Sequence, residues 1–367
     1  MAVVKFEDVA TRVNTKEDRH NTDLVYYVGG DHIASESLKV SKRGIIKGAP
    51  LGPMFYFGFK PGDILFVTRN PHLRKCAVVD FAGICSEKTL VIATKDETVL
   101  CQKYLAGVMQ SDDFWDFLEE NKSGSVNYFI NWSTLAEYEF DLPPIDEQRA
   151  LSEKLWAAND LKEKYRHLLA ATDEMLKAKF REMFGECGVQ SAEGGNTVKL
   201  EDLVDVIDER RKAINDSERS TMKSGELYPY YGATGIVDYV NQYLTDEDLL
   251  CISEDCGRYG PGEESSYIIR GKAWVNNHAH LVRVKPDVCE LAFLNAYLRL
   301  ADLRSYVSGT TRQKLTQSKM RSIECIKPSL SLQREFVAIA NAAEASKVEL
   351  KKSITSIDAV MKGLING

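Results

Sequence analysis

The sequence predicts an α+β protein written twice: two tandem, pseudo-symmetric α+β domains separated by two long antiparallel coiled-coil helices. Three observations carry this. First, Gly62-Asp63-Ile64-Leu65-Phe66-Val67 recurs 185 residues later as Glu247-Asp248-Leu249-Leu250-Cys251-Ile252, and the same offset carries Gly124 onto Gly309, Pro143 onto Pro328 and Gln148-Arg149 onto Gln333-Arg334. A repeat period this long means two copies of a whole domain, not a solenoid. Second, each copy reads as short β-branched and aromatic runs punctuated by Gly, Pro and Asn. Third, each copy is followed by a proline and then a long helix-forming stretch.

The first domain, residues 1–145, opens with Lys5-Phe6-Glu7-Asp8-Val9, which answers Lys199-Leu200-Glu201-Asp202-Leu203 at an offset of 194. The difference between the two offsets puts about nine extra residues ahead of the first GDILFV strand, in loops, where a kept scaffold changes its contacts. Strands are expected at 24–28, 64–67, 89–93 and 128–130, with a helix near 103–118. The second domain, 196–330, repeats the pattern with strands at 248–252, 267–269 and 280–284 and a helix at 291–300.

The central helix, 146–184, contains no Gly or Pro and would be roughly 58 Å long; the C-terminal segment, 331–367, holds a helix over 331–364 of roughly 50 Å. Both exceed what a globular helix needs. Phe336, Ala340, Ala343, Lys347, Leu350, Ile354, Ile357, Met361 and Leu364 alternate steps of four and three, the seam of a coiled coil. The repeat register gives the first helix its own seam: Leu151, Leu155, Ala158, Lys162, Tyr165, Leu169, Thr172 and Leu176. The interface residues expected along these seams are Leu151, Leu155, Tyr165, Leu169, Leu176, Phe336, Leu350, Ile354, Ile357 and Met361. Lys162 and Lys347 occupy equivalent core positions, where a polar group costs stability and fixes register. Two amphipathic helices lying on their own domains would be the simpler arrangement, but short helices suffice for that.

Composition narrows the class. No stretch approaches the run of about 18 apolar residues that a membrane span needs, and the N-terminus turns charged at once, so a soluble, cytoplasmic protein is expected. The eight cysteines are scattered without metal-ligand spacing and read as reduced, buried thiols. A net charge of −7 argues at face value against nucleic-acid binding. The charges are segregated, however, with basic clusters at 39–47, 69–75, 210–212 and 312–321. Local patches and partner subunits would have to supply any DNA affinity.

The two-copy architecture, together with Leu142-Pro143-Pro144-Ile145-Asp146-Glu147-Gln148, Tyr230-Tyr231-Gly232-Ala233-Thr234-Gly235, Trp274-Val275-Asn276-Asn277-His278-Ala279-His280 and Ser308-Gly309-Thr310-Thr311-Arg312-Gln313-Lys314-Leu315, resembles the type I restriction–modification DNA specificity subunit over the whole chain. The resemblance implies that the two domains are target recognition domains, each reading one half of a split sequence in double-stranded DNA, and that the helices hold them apart and dock two methyltransferase subunits, joined by restriction subunits where these are present. It also implies that this chain is not an enzyme and binds no cofactor, S-adenosylmethionine belonging to the partner methyltransferase. Helices of roughly 50 to 58 Å would then set half-sites about one turn of B-DNA apart. The first copy departs from the family's polar-loop pattern, since Gly124-Ser125-Val126-Asn127-Tyr128 keeps the Gly of Gly309-Thr310-Thr311-Arg312-Gln313 and loses the Gln.

Arg reads guanine and Asn or Gln reads adenine through paired hydrogen bonds, while Lys, Arg, Ser and Thr hold phosphates. By that chemistry the candidate DNA contacts are Lys42, Arg43, Arg69, Asn70, Arg74, Lys75, Ser125 and Asn127 in the first copy. In the second they are Arg210, Arg211, Tyr231, Thr234, Arg258, Tyr259, Asn277, His278, Thr311, Arg312, Gln313 and Lys314. Solvated turns are the ordinary alternative for such clusters. His278 and His280 alternate along a strand, yet no third metal ligand lies near. Asn276-Asn277-His278 reads more simply as a hydrogen-bond network at the start of a strand. The glycines of 232–235 lack a phosphate-cradling spacing, and no P-loop, nuclease cluster or nucleophile motif is present. The competing reading is a coiled-coil adaptor whose two α+β domains bind peptides.

Overall fold

Ten strands form in the first copy: β1 (Ala2–Lys5), β2 (Ala10–Val13), β3 (Tyr26–Val28), β4 (Gly44–Ile45), β5 (Phe55–Phe59), β6 (Ile64–Val67), β7 (Cys76–Val78), β8 (Gly83–Ser86), β9 (Thr89–Thr94) and β10 (Glu139–Leu142). Ten more form in the second: β11 (Asn196–Lys199), β12 (Val204–Val206), β13 (Tyr228–Gly232), β14 (Gly235–Val240), β15 (Thr245–Asp246), β16 (Leu249–Ser253), β17 (Ser266–Ile269), β18 (Lys272–Val275), β19 (Ala279–Val284) and β20 (Glu324–Lys327). The structure is a computed structural model and describes residues 2–185, 196–255, 258–309 and 313–367. The first copy builds sheets ordered β2-β9-β6-β7 and β4-β3-β8-β5 with a β1-β10 ribbon, and the second builds β12-β19-β16-β17 and β14-β13-β18-β15 with a β11-β20 ribbon. Every pairing of the first copy thus reappears ten strands later.

The chain divides into two compact units, Met1–His167 with Leu350–Gly367, and Leu168–Glu349. Each long helix is therefore shared out, one half to each unit. In the first unit, β6 is buried along its whole length, and its side chains alternate between two cores. Ile64 and Phe66 join Phe6, Phe114 and Trp115, while Leu65 and Val67 join Val28, Phe57 and Val91. In the second, Leu250 and Ile252 join Phe293 and Tyr297, while Leu249 and Cys251 join Val275 and Leu281. A strand buried on both faces reads as the unbroken apolar run that made the repeat visible.

The helices form as expected, from Ile145 to Phe184 and from Leu330 to Asn366. Asp146 and Glu147 sit in the first turn of the central helix, where carboxylates meet the positive end of the dipole. Gly185 stops it with φ +81, the left-handed position that favours glycine. Gln148 is fully buried; its Nε2 donates to Pro143 O (2.8 Å) and Val99 O (3.0 Å), and its Oε1 accepts from Cys101 N (3.0 Å). Gln333 repeats this on Pro328 O (2.8 Å) and Glu290 N (2.8 Å). The repeated Gln is thus a bolt between each helix start and its sheet domain.

Within the first unit, Leu155 and Trp156 of the central helix pack in one core with Met361 of the C-terminal helix, and Lys162 Nζ meets Asp358 Oδ1 at 2.5 Å. Within the second, Phe180 and Phe184 meet Phe336, and Lys347 Nζ meets Asp173 Oδ1 at 2.8 Å. Each set runs antiparallel. The repeat offset carries Lys162 onto Lys347 and Asp173 onto Asp358, so the two ion pairs are copies of one another. Leu155, Phe336, Leu350 and Met361 are buried, and Leu151, Tyr165, Leu169, Leu176, Ile354 and Ile357 are half-buried.

Two expectations change and a third is refined. Residues 103–118 form two helices, Gln102–Val108 and Asp112–Glu120, because the Ser111 side chain accepts from Phe114 N and starts a second one. Residues 128–130 are not a strand: Phe129 makes isolated bridges to Arg69 and Ser123 as part of a closed loop. The extra length of the first copy is not one insertion. Residues 29–43 link β3 to β4 where the second copy has a tight hairpin through Ala233 and Thr234, while 207–227 is a longer link than 14–25. Among the described residues Cys76, Cys85, Cys251, Cys289 and Cys325 are buried free thiols and Cys101 is half-buried; Cys187 and Cys256 lie outside them. No helix among the described residues is long and apolar enough to cross a membrane.

Candidate nucleic-acid interface

In the first unit, the chain leaving β6 and the polar loop 123–129 are stitched together. Ser123 and Phe129 exchange backbone hydrogen bonds (2.9 and 3.0 Å), Asn70 N donates to Tyr128 O (3.1 Å), and Ile130 N donates to Thr68 O (2.9 Å). Gly124 turns the loop at φ +99, where an added Cβ would lie 2.6 Å from Asn127 O. Only glycine fits that turn. Ser125 and Asn127 are exposed at the tip. Arg69 lays its guanidinium over the Phe129 ring at 5.1 Å, and Lys122 lies over Tyr128 at 4.4 Å. Asn70 is exposed with φ +53.

The structure therefore brings Arg69, Asn70, Ser125 and Asn127 together. Its other basic candidates have different neighbours. Arg74 is held by Asp112, Glu36 and Asp116, at the start of the helix that begins with Asp112. Lys75 donates to Gly30 O at 2.8 Å. Lys42 is exposed, and Arg43 stacks over Tyr26 (4.0 Å) and Phe81 (4.7 Å).

The second unit closes the corresponding loop with the same bridge. Ser308 and Lys314 exchange backbone hydrogen bonds (2.9 and 2.8 Å), Leu315 N donates to Glu254 O (2.7 Å), and Gly309 has φ +91. Gln313 and Lys314 are exposed beside it. Thr311 and Arg312 lie outside the described residues. Beneath the loop, Glu254 pairs with Lys314 (3.1 Å) and Arg211 (2.8 Å), and Arg211 with Asp208 (3.0 Å). His280, 1% exposed, sets Nδ1 against Asp208 Oδ2 and Nε2 against Leu315 O, both at 2.8 Å. Gln317 Nε2 donates to Asp208 Oδ2 at 2.9 Å. Burial pushes the Asp208 carboxyl up, but hydrogen bonds from His280, Gln317 and the Leu281 amide outweigh it and hold the group below its ordinary value. Glu254 behaves alike: burial raises it, and Arg211 and Lys314 bring it down further. Both stay ionised.

The remaining candidates fall around this loop or away from it. Arg211 is the hub of the network rather than a free surface cation, while Arg210 pairs with Glu247 (2.6 Å). Tyr231 stacks on Tyr267 at 5.6 Å, and Tyr267 Oη and Ser253 Oγ donate to Gly232 O and Ala233 O, fixing the hairpin on which Thr234 is exposed. Asn276 Oδ1 accepts from His278 N (2.8 Å), the expected network at the strand start; His278 Nδ1 meets Asp255 Oδ1 (2.8 Å), and Asn277 is exposed. Arg258 is exposed. Tyr259 is corrected: at 1% exposure, with its hydroxyl donating to Ser253 O, it is a core residue and its ring cannot reach a duplex. Sequence reasoning missed Asp208, Glu254 and Gln317. The repeat offset hid Glu254, since the strands sit one residue out of step with it and Glu254 takes the place of Thr68: Leu315 N donates to Glu254 O as Ile130 N does to Thr68 O. Among the described residues no group of three or more His, Cys, Asp or Glu side chains is placed to hold a metal ion.

Residues 193–357 match the family model for the type I restriction modification DNA specificity domain. The chain carries a type I restriction–modification DNA specificity domain. The resemblance read from the sequence stands, and the second polar loop lies inside the matched specificity domain. A type I restriction enzyme specificity subunit of Haemophilus influenzae, S.HindORF215P, is 35% identical over 149 residues, which are 40% of this chain and 36% of that one. The EcoDI specificity subunit of Escherichia coli is 26% identical over 227 residues, 59% of this chain and 49% of that one. The chain thus spans about a third to a half of the length of these specificity subunits. The crystal structure of a type I restriction–modification S subunit from M. genitalium superposes with a TM-score of 0.62 at 16% identity, covering 99% of this chain and 94% of that one. A chain from a study of complex assembly in a type I system gives 0.54 at 19%, covering 99% and 96%. Both share the fold of two sheet-rich domains with long helices.

Proposed function

We propose that this chain is the non-catalytic specificity subunit of a type I restriction–modification complex: each unit reads one block of a bipartite target in double-stranded DNA, and the helices dock the methyltransferase subunits, with restriction subunits where present. The observation that carries the reading is the closed glycine loop, built twice. In each unit the same bridge, Ser123 to Phe129 and Ser308 to Lys314, sets exposed polar side chains beside the chain leaving the equivalent central strand. Such side chains suit base edges and phosphates. Methyl transfer, and the S-adenosylmethionine it uses, are assigned to the partner subunit. The match to the specificity-domain model supports this division.

The test is modified-base sequencing of DNA from cells that express the chain with its methyltransferase partner, against cells that lack the chain. A methyladenine motif of two short blocks separated by a fixed unread gap is the expected result. A folded complex that yields no chain-dependent motif returns the question to the peptide-binding adaptor. Salt separates the two as well, because DNA affinity falls steeply with ionic strength.

A further inference from the structure

We infer that Asp208, Glu254 and His280 are positioning residues that set the specificity of the second unit's loop, holding residues 313–317 in one pose against DNA; this rests on the reading proposed above. Four tethers converge on that short stretch. Glu254 takes the Lys314 ammonium (3.1 Å) and, through its backbone oxygen, the Leu315 amide (2.7 Å). His280 holds Leu315 O (2.8 Å), and Asp208 holds the Gln317 amide (2.9 Å). Arg211 joins Glu254 to Asp208, so the four act as one network.

The sheet itself does not need this network. In the first unit the residue opposite Phe66 on β9 is Leu90, where the second unit has His280 opposite Ile252. The residue in the place of Glu254 is Thr68, whose backbone oxygen takes the Ile130 amide as Glu254 O takes that of Leu315, but whose side chain donates to Lys88 O instead of holding the loop. Buried charges are costly to assemble unless each is paired, and a fully paired network fixes geometry rather than adding stability. What the second unit gains is a loop base held at three residues, Lys314, Leu315 and Gln317. His280 has both ring nitrogens engaged and lies out of reach of a duplex, so it acts through Leu315 and not by contact.

The experiment is the same motif sequencing with His280→Asn and Glu254→Gln, read beside Arg69→Ala, and with amide hydrogen exchange of each complex. The expected result is continued methylation in which one block becomes degenerate in both network variants, with on the order of tenfold lost discrimination at one or more positions. Exchange rises over residues 308–317 while β16 and β19 stay protected, and Arg69→Ala alters the other block. A strict, unchanged motif with unchanged exchange overturns the inference. So does joint loss of methylation and of the protection of β16 and β19, which would mark these residues as holding the fold alone. Absence of any motif with the native chain would instead remove the proposed function, a separate failure.

Discussion

The two polar loops share a backbone and oppose each other in chemistry. Both are closed by the same bridge and turned by a glycine at positive φ, Gly124 or Gly309. Where the chain leaves the central strand, the first loop has Arg69 lying on Phe129, and the second has Glu254, in the place of Thr68, paired with Lys314. A cation–π contact of about 0.5–1 kcal/mol engages the face of the guanidinium and leaves its edge chemically suited to a guanine. A buried ion-pair network, by contrast, spends its charges on holding the loop. The repeat has kept the frame and exchanged the means of anchoring the reader, as expected of two domains with related but different targets.

The helix ends offer the strongest way to break this comparison. Phe336 is 1% exposed among Phe180, Phe184 and Phe293, so Phe336→Ala is expected to cost roughly 3–5 kcal/mol. Its counterpart Leu151 is only half-buried, and Leu151→Ala is expected to cost about 1 kcal/mol. Urea denaturation of the two variants measures the gap, and equal losses would contradict the aromatic packing of the second unit.

Asp358→Ala and Asp173→Ala probe the opposite case, where the copies agree. Asp358→Ala strands Lys162, whose side chain is 11% exposed, whereas Asp173→Ala leaves Lys347, 14% exposed, with Glu344 at 3.0 Å; the aspartates themselves are 42% and 51% exposed. Solvent screening reduces the buried-pair cost to roughly 1–2 kcal/mol for Asp358→Ala and somewhat less for Asp173→Ala. Losses differing by more than about 1 kcal/mol would show that the two pairs are not equivalent.

Acid should separate the units least strongly but in a definite direction. Asp208 and Glu254 have lowered carboxyl values in the fold, so the stability they contribute is present above the ordinary carboxylate range and is lost as pH falls through the depressed values. Amide exchange of residues 313–317 is expected to speed up on acidification, less so in Asp208→Asn. An identical pH response in that variant would remove the network from the acid sensitivity.

Much of this was legible in the sequence because it is periodic. The repeat offset located β6 and β16, and the four-three spacing named a seam whose members prove buried or half-buried from Leu155 to Met361. Gln148 and Gln333 were visible as a repeated pair, but their role as bolts was not, since each partner lies far away in the chain. The anchoring network stayed hidden for the same reason: Asp208, Glu254, His280 and Gln317 converge only once four separate segments fold together. Tyr259 misled because a tyrosine in a Gly-rich basic loop looks exposed, whereas its ring fills the core and its hydroxyl finds Ser253 O. Sequence alone offers no sign of which way such a side chain turns.

Loop exchange tests the central claim most directly. Residues 309–313 of the second unit are replaced by Gly124-Ser125-Val126-Asn127-Tyr128, and the methylated motif is sequenced in cells that carry the methyltransferase partner. The account predicts that one block and the gap persist while the other block changes its bases. Retention of both blocks unaltered would contradict it, because recognition would then reside outside the glycine loops.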